Sequence, residues 1–252
     1  MSGHSKWATI HRQKESSDQK RGQIFTKISN AIIIAVREGG GIADPQSNFK
    51  LRLILEKARA ANMPKDNIQR AIDRALGKGG GETVSEVTYE GYGPGGVGVL
   101  VETMTDNKQR TVQEVKNVFD RSGGSIASPG SVAFNFKKTG YITVGVAGDP
   151  DEAILKLIDL GAEDVELAED GFLEVYCQVE NLESLKENIA LAGMEVKSAE
   201  IIMKPVNLIS VTDPKVAGQV LGLMDKLDAL DDVHKVYANF DIPEEVLKQI
   251  SA

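Results

Sequence analysis

Residues 141–205 begin YITVGVAGDPDEAILKLIDLG and end EVKSAEIIMKP, and their pattern decides the fold class. Apolar residues alternate in the first segment, as in a strand, and recur at helical spacing after Asp149 and Pro150. Two more strands around the turn EDG, a second helix and a last strand complete the order βαββαβ. That order is typical of ferredoxin-like domains, so we predict one over residues 137–205.

The segments on either side of this stretch also alternate between strands and helices. Residues 96–104 and 131–136 read as strands around a helix at 108–124. After Pro205, the predicted elements are a strand NLISV, a helix DPKVAGQVLGLMDKLDAL and a strand DVHKVYANF. We predict that residues 82–136 and 206–240 form one split α+β domain, with residues 137–205 inserted in it. Two consecutive, unsplit domains are the alternative.

Residues 1–80 have a helical pattern throughout. Apolar side chains recur every three or four residues from Gly22 to Glu38, again after Asn48, and again after Pro64. The predicted fold class is therefore α+β. A helical bundle with an N-terminal arm precedes two ferredoxin-like α/β domains, one inserted in the other.

Charge divides the chain into two parts of opposite sign. The net charge of the whole chain is −8, but residues 1–80 hold 15 Lys and Arg against 7 Asp and Glu. Residues 81–252 hold 14 basic and 30 acidic residues. This swing coincides with the change from helices to strands. It favours a basic module that binds a polyanion, joined to an acidic body that does not.

The N-terminal arm carries the chemistry expected of a nucleic-acid contact. Cations provide phosphate affinity with little sequence preference, and an interleaved tryptophan can stack on an unpaired base. Histidines can donate, stack or carry partial charge near neutral pH. Anchoring of Trp7 in the bundle core is the alternative. The predicted contact residues are His4, Lys6, Trp7, His11, Arg12, Lys14, Lys20, Arg21 and Lys27.

Helices two and three extend this basic character beyond the arm. Their cations flank the apolar stripes, and long basic side chains also cover apolar surface for ordinary packing reasons. The predicted secondary surface consists of Lys50, Arg52, Lys57, Arg59, Lys65, Arg70 and Arg74.

The glycine-rich stretch GYGPGG, residues 91–96, matches the G-x-G-x-x-G spacing of dinucleotide sites. In such sites a helix follows the last glycine, whereas here a β-branched apolar strand follows. We therefore predict a flexible connection into the strand and no nucleotide site. We still mark Gly91, Tyr92, Gly93, Pro94, Gly95 and Gly96 as a candidate functional loop.

The sequence gives little support for a disulfide, a structural zinc site or a membrane span. The single cysteine, Cys177, excludes an internal disulfide, and no Cys/His spacing fits structural zinc. No apolar run approaches a membrane span. We expect no metal, cofactor, catalytic residue, membrane association or small-molecule substrate, and a cytoplasmic location. A mitochondrial presequence is a less favoured alternative.

Several stretches together resemble the YebC/PmpR family over essentially the whole chain. They are GHSKWATIHRQK, KRGQIFTK, REGGG, ARAANMPKDNIQRAI, YEGYGPGGVGVLVE and TDNKQRT. The resemblance implies a cytoplasmic protein of three domains, the first helical and the others α+β. It also implies a non-enzymatic role in gene expression. Members have been described as DNA-binding transcriptional regulators and as ribosome-associated translation factors, and mitochondrial members as translational activators.

We therefore expect a nucleic-acid-binding regulator, with ribosomal RNA or the ribosome favoured over DNA as the target. A protein-interaction scaffold is the alternative from another class. An enzyme that uses Gly91–Gly96 for a nucleotide is the third. The sequence leaves the oligomeric state open.

Overall fold

The computed structural model describes residues 18–78, 84–168 and 171–251, with side chains described from residue 22 to residue 250. It divides into two compact units. The ferredoxin-like unit comprises Phe134–Ser210 and Ala238–Pro243. The helical unit comprises the described residues up to Ala133, Val211–Tyr237, and those from Glu244 onward.

Within the described residues, the chain forms eight α-helices and ten strands. The helices are α1 (Asp18–Glu38), α2 (Phe49–Ala60), α3 (Lys65–Ala75), α4 (Lys108–Arg121), α5 (Pro150–Asp159), α6 (Leu182–Leu191), α7 (Pro214–Asp228) and α8 (Glu244–Ser251). The strands are β1 (Ser85–Tyr92), β2 (Gly98–Thr105), β3 (Ser125–Ala127), β4 (Phe136–Gly145), β5 (Asp164–Leu167), β6 (Phe172–Cys177), β7 (Glu195–Pro205), β8 (Ile209–Ser210), β9 (Val233–Ala238) and β10 (Phe240–Asp241).

Helices α1, α2 and α3 enclose a core of aliphatic side chains, among them Ile32 and Leu51, each fully buried. Asn48 holds the start of α2 in place. Its Oδ1 accepts the Leu51 N–H at 3.1 Å, while its Nδ2 donates to the Ala35 oxygen at 2.9 Å. One buried side chain therefore caps α2 and ties the connecting loop to α1. The three predicted helices are present.

The sheet of the helical unit has the order β3–β1–β2–β9. Strands β1 and β2 are antiparallel, with Ser85 opposite Thr105 and Gly91 opposite Val99. Strand β9 comes from beyond the ferredoxin-like segment, so this sheet combines chain from both sides of it. The three-domain division predicted from the sequence stays a prediction.

The ferredoxin-like unit contains β4, α5, β5, β6, α6 and β7 in that order. Its sheet has the order β5–β6–β4–β7, and every pairing in it is antiparallel. This is the βαββαβ arrangement predicted from residues 137–205, and the α+β fold class is confirmed. The short strands β8 and β10 pair in parallel beside it.

Two expectations in the flanking segments were wrong, and one strand was missed. Residues 131–136 do not form a strand, because a 3₁₀ turn at Ala133–Asn135 occupies them and β4 begins at Phe136. The strand that follows α4 is Ser125–Ala127. Strand β8 has only two residues and pairs with β10, whereas β9 lies in another sheet. The two strands of the second predicted βαβ unit therefore belong to different sheets. Strand β1 was not predicted.

Candidate nucleic-acid interface

Most of the predicted arm contacts lie outside the described residues. They are His4, Lys6, Trp7, His11, Arg12 and Lys14. Lys20 and Arg21 belong to the first turn of α1, but the description of side chains begins after them. The contact role of these eight residues stays a prediction.

Lys27, the last residue of that predicted set, makes an internal contact. Its Nζ donates to the backbone oxygen of Asp228 at 2.6 Å and to Asp228 Oδ1 at 3.0 Å. Its side chain is 16% exposed. One turn earlier, Gln23 Nε2 donates to the Ala229 oxygen at 3.3 Å. Both contacts attach α1 to the C-terminal end of α7, where free carbonyls favour a cation. The structure therefore assigns Lys27 a packing role.

Helix α2 carries its four cations in two rows. A spacing of seven residues is about two helical turns, so Lys50 lies on one side with Lys57, and Arg52 on the other with Arg59. Lys50 Nζ pairs with Glu38 Oε2 at 2.5 Å, and the pair is about half exposed. The Arg52 guanidinium lies 5.6 Å from the centre of the Phe49 ring. Lys57 and Arg59 are exposed near the end of the helix.

Helix α3 exposes cations and acids on the same outer face. Lys65, Arg70 and Arg74 are exposed, and their role in a basic surface stays a prediction. Arg70 Nη2 donates to Asn67 Oδ1, and Arg70 Nε donates to the Asp66 oxygen at 3.3 Å. By helical spacing, Asp66 shares the outer face with Arg70 and Arg74. Around the α2–α3 turn, Lys57, Arg59 and Lys65 follow one another closely in the chain, and all three are exposed.

The candidate loop is a tight turn between β1 and β2. A Cβ on Gly91 would lie 2.6 Å from the Phe119 ring, and one on Gly93 would lie 3.0 Å from Leu223. Gly95 and Gly96 have positive φ values of 72° and 77°, which favour glycine. Pro94, between these two pairs, is buried.

Two further features of this turn bear on the sequence interpretation. Strand β2 follows Val97, so no helix N-terminus faces Gly96, and the geometry of a dinucleotide site is missing at this turn. The contacts of Gly91 and Gly93 make the turn a packed element and not the predicted flexible connection. Tyr92 is 38% exposed, and its hydroxyl donates to the Ser131 oxygen at 2.8 Å.

Glu90 is a structural residue that sequence analysis missed. Its carboxylate accepts N–H groups from Gly130 at 2.6 Å, Val132 at 2.6 Å and Ala133 at 2.9 Å. Burial alone would raise the pKa of Glu90, but the three backbone donors outweigh it, and the pKa is lowered. The bonds to Val132 and Ala133 use backbone N–H groups that a strand over residues 131–136 would need for hydrogen bonds to a neighbouring strand. The one sequence feature that could have indicated this role is the position of an acidic residue directly before the glycine-rich turn.

Asp232 is the acceptor at the centre of a second polar cluster. Its Oδ2 accepts from Arg110 Nη2 at 2.7 Å, from Thr111 Oγ1 at 2.7 Å and from Thr105 Oγ1 at 3.0 Å. The bond to Asp232 is the main reason why the pKa of Arg110 is raised. The cluster joins the end of β2, the start of α4 and the turn before β9. Its acid and its cation neutralise one another.

The described residues offer little for metal, covalent or membrane chemistry. Among them, no group of three or more His, Cys, Asp and Glu could hold a metal ion. Burial, aided by the charge of Glu163, raises the pKa of the Cys177 thiol to about 11, so the thiol stays protonated at neutral pH. No helix in the described part of the chain is long and apolar enough to cross a membrane.

The fold and the exposed cations define an α+β protein whose N-terminal, helical part is basic. Comparison with known proteins places it in one family. The TACO1/YebC N-terminal domain matches residues 5–78, and the TACO1/YebC second and third domain matches residues 84–240. The chain belongs to the TACO1/YebC family.

Individual relatives match over the full length. A protein of Chloroflexus aggregans named "Probable transcriptional regulatory protein" is 49% identical over 255 residues, covering 100% of both chains. A protein of Moorella thermoacetica with the same name is 46% identical, covering 99% of each. The crystal structure of a conserved hypothetical protein from Aquifex aeolicus superposes with a TM-score of 0.84 at 42% identity. It covers 91% of this chain and 94% of that one. The family is thus one whose relatives are named as regulators of gene expression.

Proposed function

We propose that this protein is a non-enzymatic regulator of gene expression that binds nucleic acid through its N-terminal 80 residues. The observation that carries the proposal is the charge division. Residues 1–80 hold 15 cations against 7 acids, while the remainder of the chain is strongly acidic. A polyanion attracts the first part and repels the second, so the chain binds it in one orientation.

The exposed cations of the described helices support this proposal. Lys57, Arg59 and Lys65 come from one short stretch of chain around the α2–α3 turn and are exposed. Cations placed this way suit phosphate contacts, which position a protein without reading sequence. Trp7 adds a ring that can stack on an unpaired base, which duplex DNA does not offer.

Structured RNA, in particular ribosomal RNA, is the favoured target. A helix that reads DNA in the major groove presents donors to base edges while phosphates line both sides of it. The outer face of α3 carries Asp66 beside its arginines, and a carboxylate there would be repelled by phosphate on either side. DNA is the second candidate, because the relatives are named as transcriptional regulators.

Sedimentation of cell lysate through a sucrose gradient tests the proposal. We expect the wild-type protein to travel with ribosomes, and the variant Lys6→Ala/Arg12→Ala/Lys14→Ala to remain near the top. Lys116→Ala/Lys138→Ala/Lys215→Ala, which removes the same charge from exposed positions outside the N-terminal part, is the matched control. Sedimentation with DNA alone supports the second candidate. Failure to travel with either nucleic acid supports a protein-interaction scaffold and contradicts the proposal.

We also propose a cytoplasmic location and no cofactor. A chain with one buried cysteine is indifferent to the redox state of its compartment, and ribosomes are reached from the cytoplasm. Equilibrium dialysis with ATP and with NAD tests for the alternative of a nucleotide enzyme, and no retention of either is expected.

A further inference from the structure

An open groove of about 660 Å³ lies on the surface of the ferredoxin-like unit. It is lined by Asp164, Glu166, Leu167, Lys204, Pro205, Leu208 and Asp241. Strand β5, the end of β7, the loop before β8 and the short strand β10 supply these residues. Nothing in the proposed function uses them.

The groove is acidic after its internal ion pairs are counted. Lys204 Nζ donates to Asp164 Oδ2 at 2.8 Å and to Glu166 Oε1 at 3.2 Å, and it lies 3.3 Å from the centre of the Tyr176 ring. One ammonium group thus forms ion pairs with two carboxylates. The carboxylate of Asp241 makes no hydrogen bond or ion pair with any residue of the described chain. The Asp164 side chain is 54% exposed, so its carboxylate is open to a further cation.

The same groove has an apolar rim. Leu167 is 43% exposed and Leu208 is 46% exposed, and both line the groove together with the carboxylates. Large aliphatic side chains next to unneutralised acids suit a ligand that presents cations and apolar groups in alternation. A nucleic acid does not meet this description, because its phosphates would be repelled.

We propose that this groove is the docking site for the protein's own N-terminal segment, residues 4–14. That segment carries Lys6, Arg12 and Lys14 for the carboxylates, with Trp7 and Ile10 for the leucines. Its eleven residues span up to about 36 Å when extended, at about 3.3 Å per residue. Because the segment is covalently attached, its docking is an intramolecular step, which modest contacts can support.

Docking gives the chain a way to regulate its own basic segment. A docked segment is unavailable to phosphate, and a nucleic acid with a high density of phosphates competes it away from the groove. This consequence rests on the proposed function, whereas docking itself does not. If the segment is docked nine-tenths of the time, its release raises the apparent affinity for nucleic acid about tenfold.

Trp7 is the only tryptophan, so its fluorescence reports on the segment directly. In full-length protein without nucleic acid, at low salt, we expect Asp164→Asn/Asp241→Asn to shift the Trp7 emission to longer wavelength. Quenching by acrylamide should increase in parallel. Asp159→Asn/Glu187→Gln removes the same charge from exposed helix positions of the same unit and should leave both signals unchanged. Unaltered circular dichroism shows that both variants are folded.

A charge exchange completes the test. Combining Asp164→Lys/Asp241→Lys with Lys6→Glu/Arg12→Glu should restore the wild-type emission, which neither pair alone does. Identical Trp7 emission and quenching in wild type and in the groove variant would overturn the proposal, as would an equal shift in the control. Since no nucleic acid is present, failure here leaves the proposed function standing, and failure of the sedimentation test leaves docking standing.

Discussion

Lys27 Nζ lies 3.0 Å from Asp228 Oδ1 and 2.6 Å from the backbone oxygen of the same residue, at the end of α7. This contact separates two kinds of cation in the N-terminal part of the chain. Lys27 is largely buried and stabilises the helical unit, while Lys57, Arg59 and Lys65 are exposed. Lys27 could not face phosphate without losing its contact with α7, whereas the exposed cations can do so without breaking this contact.

Lys27→Ala should therefore lower stability without changing nucleic-acid binding by the folded protein. We expect the free energy of unfolding to fall by about 1.5 kcal/mol, because a partly buried, charge-assisted hydrogen bond is lost. Urea denaturation measures the fall. Lys65→Ala, at an exposed position, should change stability by less than about 0.5 kcal/mol. Equal stabilities of the two variants would mean that the Asp228 contact contributes nothing.

Glu90→Gln should destabilise the helical unit in a pH-dependent way. Its carboxylate accepts three backbone N–H groups, and its pKa is lowered from 4.5. A lowered pKa contributes stability above the unfolded value, and this contribution is lost as pH falls through the folded value. We expect a cost of about 2 kcal/mol at pH 7 that shrinks below pH 4.5 as Glu90 becomes protonated.

Urea denaturation of wild type and Glu90→Gln at several pH values measures this difference. Asp120→Asn, at an exposed position on α4, serves as the control and should show no such trend. A cost that is the same at pH 7 and well below pH 4.5 would show that the charge of Glu90 is not what secures the loop.

Gly91→Ala should be destabilising although its backbone is unstrained. The added methyl group would lie 2.6 Å from the Phe119 ring and 2.8 Å from the Ser125 oxygen, so overpacking should cost about 1–3 kcal/mol. Gly22→Ala meets nothing within 4 Å and lies in α1, so it should stabilise by about 0.5–1 kcal/mol. Thermal denaturation of the two variants should show shifts of opposite sign. Shifts of the same sign would be inconsistent with the packing at Gly91.

Trp7→Ala should weaken binding to looped or single-stranded RNA more than to duplex DNA. Stacking on an unpaired base is worth about 1–3 kcal/mol, and a closed duplex offers no such base. Fluorescence anisotropy with a labelled RNA hairpin and a labelled DNA duplex measures both losses. Trp7→Phe, which retains a ring, should recover most of the RNA affinity. Equal losses on both probes would argue against a stacking role.

Sequence patterns predicted some elements better than others for physical reasons. The βαββαβ unit was accessible because its helices and strands each show a clear period, and its strand order follows from that sequence of elements. Strand β1 was missed because SEVTYEGY is polar at half its positions and has a glycine, Gly91, next to its last residue. The false strand at 131–136 has suitable side chains, but the Glu90 carboxylate takes its amides. That contact joins residues 40 apart, beyond the reach of a local pattern.

The sequence could show which part of the chain is basic, but not which of its cations make internal contacts in the folded protein. Counting charges located the basic part of the chain, and helical spacing placed cations beside the apolar stripes of α2 and α3. Nothing local could indicate that Lys27 would meet Asp228, which lies 201 residues away. Likewise, the groove at Lys204 combines β5 and β7 of one sheet with β10 of another and the loop before β8, which are separated in sequence.

The salt dependence of binding tests the central claim most directly, because it counts the phosphates that the N-terminal cations neutralise. The measurement is the slope of log K against log salt for a labelled single-stranded RNA, using wild type and Lys6→Ala/Arg12→Ala/Lys14→Ala. Each lost contact on single strands should reduce the slope by about 0.7, so the triple variant should lose about 2. The control Lys116→Ala/Lys138→Ala/Lys215→Ala should keep the wild-type slope. An unchanged slope and affinity in the arm variant would contradict the assignment of phosphate binding to the N-terminal segment.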